Sequence, residues 1–167
     1  MPEILVYGRG GRVATRVAVD EDDYEWLNHH RWFLCHGYAT RYDPPRGSPF
    51  VFMHREILGL PKGGGIDVQG DHKNRNPLDN RRENLRVATI PQNRQNVSPR
   101  KSQSSRYRGV YWEKQRSKWR AGAKISGRTY DLGFFSNEDD AGRVASEWRA
   151  KHMPYAVEDL VQVGGIS

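Results

Sequence analysis

In the N-terminal part of the chain, short apolar runs alternate with turn-forming residues, which predicts small strands joined by tight connections. Arg12-Val13-Ala14-Thr15-Arg16-Val17-Ala18-Val19 carries β-branched residues at regular intervals and reads as a strand. Asp20-Glu21-Asp22-Asp23 then reads as a helix start: Asp20 can cap it, its acidic first turn suits the helix dipole, and Tyr24, Trp26 and Leu27 supply its apolar side to near His30. Trp32-Phe33-Leu34 and Tyr38-Ala39-Thr40-Arg41-Tyr42, separated by His36-Gly37, predict a β-hairpin. After a Pro-rich loop at residues 44–49, Phe50-Val51-Phe52-Met53 predicts another strand and residues 54–60 a short helix, stopped by Pro61 and Gly63-Gly64-Gly65.

Beyond Ile66 the pattern changes. Ile66-Asp67-Val68-Gln69 predicts a strand ending at a glycine, and Leu85-Arg86-Val87-Ala88 a second, with a polar loop pinned by Leu78 between them. Thr89-Ile90-Pro91-Gln92 has the residues of a reciprocal capping box, with Pro91 in the first turn, so a helix is expected to about Val97. Residues 98–105 are polar and aperiodic and read as a linker between a domain at 1–97 and one at 106–157, with a weakly structured tail at 158–167. In the second domain, residues 107–112, 118–125 and 128–135 predict three strands, the last two joined by Ser126-Gly127. Trp119, Ala121, Ala123 and Ile125 share one face of the middle strand; Lys118, Arg120 and Lys124 share the other. Ser136 is expected to cap a final helix whose stripe of Ala141, Val144, Ala145 and Trp148 covers the dry face. The fold class is α+β.

Charge adds a location to this outline. Residues 1–70 hold 8 basic against 9 acidic groups, residues 71–130 hold 16 against 4, and residues 131–167 hold 3 against 7. An excess of +12 confined to the middle of the chain is the footprint of a polyanion, with double-stranded DNA as the leading partner. A single cysteine, Cys35, excludes an internal disulfide framework and thiolate-rich zinc sites. No signal-like start or membrane-length apolar run is present, so a soluble, cytoplasmic protein without a membrane partner is expected.

Residues 70–96 pack His72, Asp71, Asp79 and several asparagines among lysines and arginines, a poor core and a good surface for phosphate chemistry. Phosphodiester hydrolysis needs a cation to neutralise developing charge, a base for the attacking water and a scaffold that holds both. Asp71 offers a hard anionic oxygen and Asn93 a neutral one, ligand types that Mg²⁺ accepts. His72, next to Asp71 on a strand, would point to the opposite side and can take a proton near neutral pH.

Asp71-His72, Asn84 before Leu85 and Asn93 in the following helix resemble the H-N-N variant of the HNH, or ββα-metal, nucleases of phage and intron homing type. Met53-His54-Arg55, Pro77-Leu78-Asp79-Asn80-Arg81-Arg82-Glu83-Asn84-Leu85-Arg86 and Gln92-Asn93 match as well. The resemblance implies His72 as general base, Asp71 and Asn93 as ligands of one divalent ion (Mg²⁺ or Mn²⁺), and Asn84 as the residue that holds loop and base in place. It also implies in-line attack by water that leaves a 3′-hydroxyl and a 5′-phosphate, with this domain across the minor groove. Many members have His where Asn93 stands, so one carboxylate and one amide imply weak metal binding until DNA adds its phosphate oxygens. His54 and Arg55 are candidates for phosphate contact; His29, His30, His36 and His152 read as ordinary histidines.

Residues 106–157 resemble the AP2 DNA-binding domain, through Tyr107-Arg108-Gly109-Val110, Lys118-Trp119-Arg120-Ala121, Leu132-Gly133-Phe134-Phe135 and the Ala-rich helix. This implies a three-stranded antiparallel sheet in the major groove, with Arg108, Tyr111, Arg120 and Lys124 in contact and Lys118 and Arg116 on the backbone. Thr129 and Asp131 stand where plant members favour Arg and Trp, so base preference does not carry over. Together the two resemblances imply a monomeric, site-directed endonuclease of a bacterial or phage-infected cell. The rival is a non-catalytic DNA-binding regulator with a degenerate nuclease motif. RNA binding is disfavoured because the basic face shows no aromatic stacking platform in the sequence.

Overall fold

The computed structural model describes residues 1–43, 50–61, 67–97 and 104–157. The expected loop at 44–49, the Gly63-Gly64-Gly65 stop, Ile66, most of the linker and the tail lie outside the described residues. The chain divides into two compact units, 1–93 and 94–167.

The first unit is built on a five-stranded sheet in the order β2-β1-β3-β4-β5. Its strands are β1 (Glu3–Tyr7), β2 (Val13–Ala18), β3 (Trp32–Cys35), β4 (Tyr38–Tyr42) and β5 (Phe50–Phe52), with α1 (Glu21–Asn28) between β2 and β3. β1 lies at the inside of the sheet, parallel to β3 and antiparallel to β2. The sequence pattern did not mark this strand, since five residues at the chain start carry little periodic signal on their own. The β3–β4 hairpin forms as expected, with His36 (φ 50°) and Gly37 (φ 86°) giving the left-handed pair that a two-residue turn requires. Ile4, Val6, Val17, Val19, Leu27 and Trp32 form one buried cluster that Met53, Ile57 and Leu85 join. Leu85 thereby ties the polar stretch to the sheet.

Asp20 occupies the N-cap position of α1 but makes no capping bond. Its carboxylate instead accepts the Arg82 backbone N–H at 2.7 Å, and Asp23 takes the Arg82 guanidinium at 2.7 and 2.8 Å. A long-range partner has displaced the local cap. The predicted helix at 54–60 is α2 (Met53–Ile57).

β6 (Val68–His72) pairs antiparallel with β7 (Leu85–Thr89), followed by α3 (Ile90–Asn93). β6 continues through Gly70 instead of ending there, because a Cβ on residue 70 would stand 2.5 Å from His54 Cδ2 and glycine leaves that space to the imidazole. The capping box is realised: Gln92 Oε1 accepts from Thr89 N at 2.8 Å and Thr89 Oγ1 accepts from Gln92 N at 3.4 Å. The helix nevertheless stops at Asn93 and not near Val97. From residue 94 the chain belongs to the second unit, where the Gln95 carbonyl accepts from Arg108 and its side chain from Tyr155 N.

The second unit is a three-stranded antiparallel sheet, β10-β9-β8, with one helix against it. Its elements are β8 (Val110–Glu113), β9 (Lys118–Ile125), β10 (Arg128–Phe135) and α4 (Glu138–His152). Asn137, not Ser136, caps α4: its Oδ1 accepts from Asp139 N at 2.7 Å. The buried stripe of α4 is Ala141, Gly142, Ala145 and Arg149, rotated from the predicted one. Gly142 explains the rotation, since the Tyr107 ring lies where its Cβ would be, at 2.5–2.7 Å. Trp148 instead stacks on His152 and meets Tyr130. No helix among the described residues is long and apolar enough to cross a membrane.

Candidate active site

Alternation along β6 sends Gln69 and Asp71 to one side of the hairpin and Gly70 and His72 to the other. Register places Asp71 directly opposite Arg86, and the Asp71 carboxylate accepts from Arg86 Nη2 and Nε at 2.7 and 2.8 Å. Asn93 reaches the same side from α3, where its Nδ2 donates to Gln69 Oε1 at 2.6 Å. That bond turns the Asn93 Nδ2 toward the strand and leaves its Oδ1 as the group able to meet a cation. The backbone thus brings the two proposed ligands to one side of β6. A buried carboxylate and an amide oxygen are a hard-oxygen pair whose chemistry fits a Mg²⁺-type ion. Among the described residues no three His, Cys, Asp or Glu side chains group into a cage.

On the other side His72 is buried, with its Nε2 at 2.8 Å from Asn80 Oδ1. Asn80 directs its Nδ2 to Met53 Sδ at 3.5 Å, so its oxygen faces the ring and the bond requires a proton on Nε2. The lone pair of the neutral imidazole then sits on Nδ1. Burial pushes the His72 pKa below its ordinary value, opposed by the Asn80 bond and by the charges of Asp71 and Asp79. The ring packs at 4.9 Å from His54 and 6.0 Å from Tyr38. His54 is itself buried, and desolvation, followed by the charges of His72 and Arg55, pushes it down to about 3. At neutral pH it is an uncharged wall beside His72. Arg55, the other candidate for phosphate contact, donates from Nη2 to the Pro61 carbonyl at 2.9 Å.

Asn84 holds the loop from both ends. Its Nδ2 donates to the Asp79 carbonyl at 2.7 Å, its Oδ1 accepts from Asn74 N at 2.9 Å, and its carbonyl accepts from Lys73 N at 2.8 Å. Asp79 adds a carboxylate that takes Arg81 twice at 2.7 Å and Asn74 Nδ2 at 2.8 Å. Arg81 foremost holds its pKa below the usual carboxylate range. The hydrogen bond to the His72 imidazole comes from Asn80, whereas Asn84 orders the loop that carries Asn80. Asn80 was not among the expected site residues, although it lies inside the motif. Arg86, Gln69 and Tyr38 were missed too, because cross-strand register and a distant hairpin bring them in.

In the second unit Tyr111, Arg120 and Phe134 form a row across three strands by register. Arg120 lies 5.7 Å over Tyr111 and 5.6 Å over Phe134, and Arg116 lies 4.4 Å over Phe134. The basic face therefore does have aromatic rings, contrary to the expectation from sequence, and they lie beneath guanidinium groups. A bulge between Asp131 and Gly133 brings Phe134 into that row. Asp131 accepts from Arg120 at 2.8 Å, which holds its carboxyl below the usual range. Lys118 and Lys124 are exposed. Arg108 is half-buried, and its guanidinium donates to the Gln95 carbonyl.

The HNH endonuclease family matches residues 54–95, which include the site described in the first unit except Tyr38 and Met53. Protein 3.8 of Escherichia phage T7 is 35% identical over 73 residues, 44% of this chain, which spans only 57% of that relative's length. An uncharacterized HNH endonuclease of Acanthamoeba polyphaga mimivirus is 30% identical over 140 residues, 82% of this chain and 69% of its own. No solved structure matches the chain significantly. With its Asp71-His72 strand end, Asn84-ordered loop and Asn93 helix within the matched segment, and a relative aligned along most of its length, the chain belongs to the HNH endonuclease family.

Proposed function

We propose that the protein is a metal-dependent, site-directed DNA endonuclease of the homing type, in which the first unit cuts and the second, AP2-like, anchors it. The observation that carries this reading is the His72–Asn80 bond of 2.8 Å beside the Asp71 side of the same strand. It defines one imidazole nitrogen as donor and the other as acceptor. His72 Nδ1 takes a proton from the attacking water while Nε2–H stays on Asn80, which spreads the imidazolium charge onto a fixed dipole. Asp71 and Asn93 would hold the cation, which when bound supplies charge neutralisation at the scissile phosphate. Hydrolysis leaves a 3′-hydroxyl and a 5′-phosphate. Tyr111, Arg116, Lys118, Arg120 and Lys124 face the target duplex from the second unit, and the setting is the interior of a cell that carries the target.

Supercoiled plasmid incubated with the protein and Mg²⁺ or Mn²⁺ tests this directly. Nicked or linear product is expected, reduced at least about 100-fold in His72→Ala, the usual scale for losing a general base. Cleavage that persists unchanged in the variant would remove His72 from the mechanism. The Asp71–Arg86 ion pair favours a second reading, a DNA-binding protein without catalysis, because the only carboxylate of the proposed ligand pair already faces a cation. Duplex binding without cleavage of any DNA would select that alternative.

A further inference from the structure

We propose that the tip of the β1–β2 hairpin is a second DNA-contacting surface, in which Arg9, Arg12 and Arg31 meet backbone phosphates to one side of the cut. The balanced charge of residues 1–70 conceals a segregation. Among the described residues, five of the nine acidic groups of this part are engaged with other arginines: Glu3 with Arg16, Asp20 and Asp23 with Arg82, Asp43 and Glu56 with Arg41. Glu21 and Asp22 lie in the first turn of α1, which begins after the far end of β2, Glu25 lies one turn further along it, and Asp67 immediately precedes β6. Arg9, Arg12 and Arg31 are exposed, and no ion pair to them occurs among the described residues. A local excess of positive charge is left at one end of the sheet.

The tip is also shaped for close approach. Gly10 (φ 84°) and Gly11 (φ 77°) hold left-handed conformations, and nothing lies within 4 Å of where a Cβ on Gly10 would stand, so the backbone there is open to solvent. Arg31 lies 4.5 Å over the Tyr7 ring and 5.7 Å from Phe33, with its Nη2 3.3 Å from the position a Cβ on Gly11 would take. Stacking restrains the guanidinium plane while its N–H edge stays available to a phosphate oxygen.

β2 supplies the distance. It runs from Val13 beside the tip to Ala18, which bridges Asp79 and accepts from Asn80 N at 2.8 Å. Asn80 in turn holds His72, so strand and site are joined by hydrogen bonds. At ~3.3 Å per residue, the tip lies about 17 Å along β2 from the loop of the site. At ~3.4 Å per base pair, that is roughly five base pairs along a duplex. The position relative to the cut rests on the endonuclease reading; the contact itself does not.

The test uses the full chain and a short fluorescent mixed-sequence duplex in EDTA, with affinity measured by anisotropy across a salt series. Arg9→Ala/Arg12→Ala should lower the slope of log K against log salt by about 2, close to 0.9 for each phosphate no longer neutralised. Arg31→Ala should lower it by about one more, and Arg143→Ala, on α4, should leave it unchanged. In amide spectra of the wild type, Gly10 and Gly11 should shift on addition of the duplex. An unchanged slope in Arg9→Ala/Arg12→Ala, or unmoved glycine amides under saturating duplex, overturns the inference even if the protein cuts DNA. Wild type that binds duplex but never cuts with Mg²⁺ or Mn²⁺ overturns the endonuclease reading, while the slopes still decide the contact. Absence of duplex binding overturns both.

Discussion

Asn80 sets the tautomer of the His72 ring, and the consequences follow from which atoms that side chain offers. Replacing Asn80 by Ala removes the acceptor that holds the proton on Nε2, so both tautomers become populated. Turnover should fall roughly 10-fold or more with little change in KM, and Asn80→Asp, which keeps the acceptor, should recover part of it. Nitrogen NMR of the metal-free protein should show a pure Nε2–H imidazole in the wild type and a mixture in the alanine variant. His54 makes a separate prediction about stability. Its folded pKa of about 3 lies below the ordinary 6.5, so the unfolded chain takes the proton first. This contribution is complete above about pH 6.5 and is lost as pH falls toward 3, at a scale of roughly 5 kcal/mol. Urea unfolding across that range should show a shallower acid loss in His54→Gln than in the wild type.

At the scale of elements, two positions discriminate between local and tertiary control. Asn137→Ala should cost about 1 kcal/mol by removing the cap of α4, while Ser136→Ala should leave thermal stability unchanged. Gly142→Ala would usually favour a helix, yet its methyl would stand 2.5 Å from the Tyr107 ring. A lower melting temperature is expected, corresponding to ~1–3 kcal/mol of overpacking. The same competition explains α1, where Asp20 gives up its own helix to Arg82, and β6, which passes through Gly70 because His54 needs the space.

For the molecule as a whole, the basic segment at 71–130 should dominate affinity for DNA. Binding should fall steeply with salt, and a flat dependence would be incompatible with that segment acting as a DNA surface. Residues 1–93 form a compact unit with their own buried cluster. A chain ending at residue 105 is therefore expected to retain metal-dependent nicking, with lower affinity and weaker site preference, measured by mobility shift and by sequencing the products. An unchanged preference would remove the anchoring role from the second unit.

By itself the sequence determined whatever depends on near neighbours: the α+β class, the hairpin turns at His36-Gly37 and Ser126-Gly127, the capping box of α3, and the adjacency of Asp71 and His72. It also located Asn84 and Asn93 in a loop and a helix, since those placements follow from short spacings. Tertiary structure decided which partners those groups face. Asp71 meets Arg86 through strand register, His72 meets Asn80 and Tyr38 through a folded loop and a remote hairpin, and three arginines gather at one tip through the pairing of β1, β2 and β3. Periodicity encodes the face on which a side chain emerges. What waits on that face is set by chain packing, and there lie both the tautomer of His72 and the charge around it.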